Sequence, residues 1–149
     1  DNIYKLAKRR EKAVTAIMLD IDHFKKVNDT YGHQAGDKVI QSLARVIKKS
    51  IRETDLAGRY GGEEFAVVLT DATAENAKIV AERIRLLAQA LVVEHDGQEI
   101  RYTVSLGLAE YNPACHSAMA WLEYADQALY DAKLGGRNQS RITNYERAL

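Results

Sequence analysis

Two consecutive glycines, Gly61 and Gly62, stand between two short stretches of extended character, and that arrangement makes the chain turn back on itself. The run Phe65-Ala66-Val67-Val68-Leu69 is apolar and rich in β-branched residues, as a buried strand is, and residues 55–60 lead into the glycines from a second extended stretch. The segment therefore reads as a β-hairpin with a glycine turn. Glycine admits positive φ there, and without a Cβ it lets backbone come close to a flat or phosphorylated ligand. Directly after the turn stand Glu63 and Glu64, whose carboxylates suit a divalent cation. A charged glycine turn is equally at home in an ordinary solvated hairpin, so the rest of the chain has to decide.

Upstream, residues 13–19 form an apolar run that ends in Asp20-Ile21-Asp22, the pattern of a central strand that delivers acids at its C-terminal end. A polar stretch with Asn28-Asp29 follows, and then Val39, Ile40, Leu43, Val46, Ile47 and Ile51 recur at helical spacing. A second amphipathic helix is predicted over residues 74–90, with Ala77, Val80, Ile84, Leu87 and Leu91 facing inward. Asp96-Gly97 marks a tight turn between residues 91–94 and a strand over residues 100–111. A last helix starts near Ser117, presents Met119, Leu122, Ala125 and Leu129 inward, and stops at Gly135-Gly136. Residues 141–145 fit an edge strand. Tight turns join at least two strand pairs, so the sheet contains antiparallel neighbours, and the expected class is α+β, ferredoxin-like or palm-like, with helices flanking a mainly antiparallel sheet. If the first strand and the hairpin are neighbours, Asp20 and Glu63 share a site.

With 149 residues, 46% of them hydrophobic, the chain can bury one core and reads as a single domain. Its 21 basic residues balance its 21 acidic ones, which leaves no basic field for a nucleic-acid polymer. A single cysteine, Cys115, precludes an internal disulfide, and four scattered histidines make no zinc cluster, which suits a reducing cytoplasm. No apolar stretch reaches the roughly 20 residues that span a bilayer, and the charged residues 1–12 are not a signal peptide. The chain opens inside a helical pattern (Tyr4 to Arg10), as a fragment of a longer protein would.

Hard oxygen donors from two strands suit Mg²⁺ or Mn²⁺, which keep their waters and bind nucleotide phosphates. Glu63 and Glu64 are consecutive and face opposite sides in a regular strand, so both reach one ion only if the turn twists, and spacing does not rank them. Lys133 and Arg137 lie four apart, on one face if the helix continues that far, and are available for a triphosphate or for the helix dipole. Asn28 and Asp37 carry the donors and acceptors that a guanine edge needs, although a helix cap and a turn explain them as well.

From about Leu6 to Asn138 the sequence resembles the GGDEF domain family of diguanylate cyclases. The resemblance is carried by Asp20-Ile21-Asp22-His23-Phe24-Lys25-Lys26-Val27-Asn28-Asp29-Thr30-Tyr31-Gly32-His33 with Gly36-Asp37, by Gly61-Gly62-Glu63-Glu64-Phe65, and by two later blocks. These are Thr103-Val104-Ser105-Leu106-Gly107, and residues 125–133 with Gly136-Arg137-Asn138. The resemblance implies that two GTP molecules on two facing domains condense into cyclic di-GMP and pyrophosphate. It makes Asp20, the Ile21 carbonyl, Glu63 and Glu64 ligands of about two Mg²⁺ or Mn²⁺ ions, with Glu63 the candidate base. It also makes Asn28 and Asp37 guanine readers, puts His33, Gly61 and Gly62 beside substrate, gives phosphates to the Phe24 and Lys25 amides, and gives the triphosphate tail to Lys133 and Arg137.

Arg52-Glu53-Thr54-Asp55 precedes the glycine turn at the spacing of the family's inhibitory RxxD site, and Arg83 resembles its secondary arginine. That implies inhibition by the cyclic di-GMP product. The family's opening helix is missing, and a regulatory domain is expected in the full-length protein. The competing reading is a receptor that binds cyclic di-GMP or GTP without turnover; Asp20, Glu63 and Glu64, all present, argue for chemistry.

Overall fold

A computed structural model of the chain describes residues 12–145. The helix expected over residues 4–10 lies outside them. The order of elements is β1 (Val14–Ile21), α1 (Phe24–Tyr31), α2 (His33–Ser50), β2 (Leu56–Gly61), β3 (Glu64–Thr70), α3 (Ala74–Ala90), β4 (Val93–His95), β5 (Gln98–Ile100), β6 (Val104–Glu110), α4 (Ala118–Leu134) and β7 (Ser140–Ile142). Five strands form one sheet in the order β2-β3-β1-β6-β7. The first four pair antiparallel and β7 joins β6 in parallel, so the expected mixed, mainly antiparallel α+β sheet is present.

β1 is buried along its whole length because both faces are covered. Its odd-numbered residues Ile17, Leu19 and Ile21 join Phe65, Val67 and Leu69 of β3 under α2 and α3. Its even-numbered residues Val14, Ala16 and Met18 pack with Trp121, Ala125 and Leu129 of α4. Period-two alternation thus divides the core into two layers and puts Asp20 on the α4 face. At Gly107 on β6, α4 comes so close that a Cβ would stand 2.1 Å from the Leu129 amide nitrogen.

Five expectations are corrected. The polar stretch after β1 is the helix α1; it buries only Val27, with Phe24 and Tyr31 half-covered, so its apolar signal is one residue per turn. On α3 the inner face is Ala74, Ala77, Ala81, Ile84 and Ala88, whereas Leu87 is exposed. Alanines allow close approach to the sheet, and that rotates the larger Leu87 outward. On α4, Met119 is exposed and Trp121 takes the core position, anchored by an indole N–H that donates to the Ala109 carbonyl at 2.8 Å. The strand expected over residues 100–111 breaks into β5 and β6; β4 and β5 form a separate hairpin around Asp96-Gly97. The edge strand expected over residues 141–145 is shorter and begins one residue earlier. Among the described residues no helix is long and apolar enough to cross a membrane.

Candidate active site

The antiparallel pairing of β1 with β3 puts Asp20 directly opposite Glu64. Residues opposite each other share a face, so both carboxylates project toward α4, where Lys133 waits in its last turn. Glu63 lies in the turn itself, between the last residue of β2 and the first of β3. Beside it, Gly62 has a φ of 31°, and a register shift falls between Arg59 and Gly61. That irregularity takes Glu63 out of strand alternation, and its charge is felt at both Asp20 and Glu64.

Lys133 Nζ meets Asp20 Oδ2 at 2.5 Å. Burial pushes the Asp20 carboxyl above its usual range. Lys133 opposes that shift, while Glu63 and Asp22 add to it. At the more exposed Lys133, desolvation is outweighed by the Asp20 bond and by the charges of Glu64 and Glu63, so its pKa is raised too. Glu64 is also raised, by burial first and then by the negative charges of Asp126 and Asp20. The acids repel one another, and one ammonium only partly offsets them.

Among the described residues no group of three or more His, Cys, Asp or Glu side chains closes into a cage able to hold an ion unaided. A divalent ion that retains waters and takes phosphate oxygens needs no such cage. Asp20 Oδ1 is buried without a hydrogen-bond partner, and a hard cation is what that orphaned oxygen suits. The donor set thus fits Mg²⁺ or Mn²⁺.

Ile21 ends β1, and α1 begins at Phe24 after His23, which adopts a left-handed φ of 56°. The Phe24 and Lys25 amides are first-turn donors with no carbonyl earlier in their helix, a ready anion site. Asn28 lies on α1 against Gly36 of α2, so close that a Cβ on Gly36 would stand 1.9 Å from Asn28 Oδ1. That oxygen is buried and unpartnered. Asp37 lies exposed in the second turn of α2, one residue beyond Gly36, and therefore caps nothing; Asn28 is likewise helical rather than in a turn. His33 is exposed at the head of α2.

Lys133 and Arg137 do not share a helix face. α4 ends at Leu134, and Arg137 follows in a left-handed turn with a φ of 64°. The Arg137 amide donates to the Ala132 carbonyl at 3.0 Å.

At the far end of β3, Arg52 and Asp55 are in contact. Asp55 is buried and accepts from the Arg52 amide at 2.8 Å, the Thr70 amide at 3.0 Å and the Arg52 guanidinium at 3.4 Å. Burial alone would raise its pKa, but these donors together hold it below the usual carboxylate range. The Arg52 guanidinium also donates to the Thr70 carbonyl, and Arg83 donates to the Ser50 carbonyl at 3.4 Å, which brings both arginines to the end of α2.

Sequence reasoning missed the clasp of Lys133 on Asp20 and the contribution of Asp126. It also missed the network around Asp22, which joins Thr103, Ser105 and Asn138. The shared parity of Asp20, on β1, and Asp22, one residue beyond its end, was the available signal.

The family profile described as diguanylate cyclase, GGDEF domain, matches residues 1–139. Diguanylate cyclase A of Treponema denticola is 45% identical over 145 residues, 96% of this chain and 39% of that protein. The response regulator PleD of Caulobacter vibrioides is 38% identical over 140 residues, 93% of this chain and 31% of its own. The chain thus spans well under half the length of these relatives. Among solved structures, the GGDEF domain of DgcB from Caulobacter crescentus in complex with c-di-GMP superposes with a TM-score of 0.90 at 37% identity, covering 95% of this chain and 84% of that one. The active GGEEF domain of a diguanylate cyclase from Vibrio cholerae gives a TM-score of 0.89 at 33% identity, covering 96% and 90%. A match of this extent, on the same palm-type fold and with the acids paired across β1 and β3, means that the chain belongs to the diguanylate cyclase GGDEF domain family.

Proposed function

We propose that this domain condenses two GTP molecules, one bound to each of two facing copies, into cyclic di-GMP and two pyrophosphates. The observation that carries the reading is the placement of Asp20 opposite Glu64, with Glu63 in the adjoining turn and Asp20 Oδ1 buried and unpartnered. Asp20, the Ile21 carbonyl, Glu63 and Glu64 hold Mg²⁺ or Mn²⁺, about two ions per site. Bound there, the metal lowers the pKa of the attacking hydroxyl and offsets charge on the α-phosphate.

The chain's own groups do the rest. Asn28 and Asp37 read the guanine edge through donors and acceptors. Gly61, Gly62 and His33 stand beside the substrate, and the Phe24 and Lys25 amides with Lys133 and Arg137 hold the phosphates. Glu63 accepts the proton of the 3′-hydroxyl as its oxygen bonds to the partner's α-phosphorus; the bond to the bridging oxygen breaks and pyrophosphate leaves. The same exchange in the other direction closes the ring.

Arg52, Asp55 and Arg83 form a product-binding site at which cyclic di-GMP inhibits, since guanidinium groups fork onto phosphates or a guanine edge. The two arginines gathered at the end of α2 also support a receptor that binds cyclic di-GMP without turnover. The intact acids favour the enzyme. In the full-length protein, we place this domain in the cytoplasm under a regulatory region that brings two copies together.

The deciding experiment incubates the purified protein with GTP and Mg²⁺ or Mn²⁺ and follows cyclic dinucleotide and pyrophosphate. Product from the parent and none from Glu63→Ala supports the cyclase; binding of cyclic di-GMP with no product from the parent leaves the receptor.

A further inference from the structure

Asp22, one residue beyond β1, is buried, and the proposed reaction gives it no role. Its Oδ1 accepts from the Ser105 hydroxyl at 2.6 Å, and its Oδ2 accepts from the Thr103 hydroxyl at 2.7 Å and the Asn138 backbone amide at 3.0 Å. Its own amide donates to the Thr103 carbonyl at 2.9 Å. One carboxylate therefore ties together three pieces of chain: the end of β1 with Asp20 and Ile21, the entry to β6, and the turn that follows α4.

That turn needs an anchor. Arg137 and Asn138 adopt φ values of 64° and 47°, two successive non-glycine residues in the left-handed region. Such backbone is unfavourable for L-residues and persists where its surroundings over-determine it. A hydrogen bond from an amide to a buried carboxylate is among the strongest anchors available, because the acceptor is charged and shielded from water. The Asn138 side chain is gripped as well, by Arg85 at 3.1 Å.

We infer that Asp22 is a positioning residue: through the Asn138 amide it fixes the Arg137 turn against the end of β1, and so sets the spacing between a phosphate-binding cation and the metal-binding acids. The inference rests on the proposed function for what is being spaced, whereas the clamp is a property of the fold alone.

The test compares Asp22→Ala, the conservative Asp22→Asn, and Thr103→Val, which deletes a neighbouring bond but leaves the Asn138 anchor. Amide exchange at Asn138, read by NMR on nucleotide-free protein, is expected to speed up by about tenfold in Asp22→Ala, to change less in Asp22→Asn and to stay near the parent rate in Thr103→Val. Affinity for a non-hydrolysable GTP analogue with Mg²⁺ is expected to weaken by about tenfold in Asp22→Ala, with partial recovery in Asp22→Asn, and KM should rise more than kcat falls. If Asp22→Ala does not fold, Asp22→Asn reports on the same amide. Unchanged exchange at Asn138 overturns the inference, as does an affinity loss in Thr103→Val equal to that of Asp22→Ala. A parent that binds no GTP analogue removes the proposed function, and the exchange data then decide the clamp separately.

Discussion

Asp20 on β1 and Lys133 on α4, 113 residues apart, form an ion pair of 2.5 Å in which both partners are shifted upward. Burial accounts for the carboxyl and the pair itself for the ammonium. Both shifts carry the same sign of linkage. A group with a raised folded pKa contributes stability that is complete below its unfolded pKa and is lost as pH rises through the folded value. For Asp20 that window begins near the ordinary carboxyl value of 3.8, and for Lys133 near 10.5.

Lys133→Met therefore leaves a buried carboxylate unpaired. The expected cost at pH 7 is about 1–3 kcal/mol, and it shrinks toward pH 4 as Asp20 takes up its proton. Urea denaturation at the two pH values checks this; an equal loss at both contradicts it. In the parent, Mg²⁺ should raise the Tm more at pH 8 than at pH 5, because the ion binds the ionised acids.

Asp55 carries the opposite sign. Its pKa is depressed below 3.8, so its contribution is present above that value and is lost as pH falls through the folded pKa. Asp55→Ala leaves the Arg52 and Thr70 amides unpaired, at an expected cost of about 2–3 kcal/mol at pH 7, and the difference from the parent narrows below pH 3.8. Arg52→Ala is the cleaner probe of product inhibition because the Asp55 carboxylate keeps its backbone donors. Its turnover should resist cyclic di-GMP, and sensitivity equal to the parent's would rule the inhibitory site out.

Two glycine-to-alanine changes should separate binding from folding. At Gly36 the new Cβ collides with a side-chain oxygen of Asn28, which can swing away, so stability changes little and GTP affinity falls. At Gly107 it collides with the Leu129 backbone, which cannot, and α4 is forced off the sheet at a cost of about 1–3 kcal/mol or more. Thermal melts and nucleotide titrations of both variants distinguish the two outcomes.

The inner face of α3 is testable by the same logic. Leu87→Ser, at an exposed position, should change stability by about 0.5 kcal/mol or less, whereas Ala88→Leu overpacks the core by about 1–3 kcal/mol. Chemical denaturation that ranked them the other way would restore Leu87 to the core.

In the proposed reaction each copy supplies half of the reacting pair, so activity per milligram should rise with protein concentration. A flat profile in a GTP turnover assay contradicts a reaction shared between copies.

What the sequence determined by itself is the set of local facts: the glycine turn between strands, the doubly buried first strand and the helical period of α2. Each depends on a few neighbouring residues and on the fixed periods of strand and helix. The motif blocks named the acids for the same reason, since each block is contiguous. Tertiary structure decided what depends on register and approach. Only the β1–β3 pairing sets Asp20 opposite Glu64 rather than Glu63, and only the close packing of alanines turns Leu87 out of the core. The three-way clamp of Asp22 joins residues more than 80 positions apart. No local period encodes such a meeting, because it arises when separate elements, each correct alone, are packed at fixed distances.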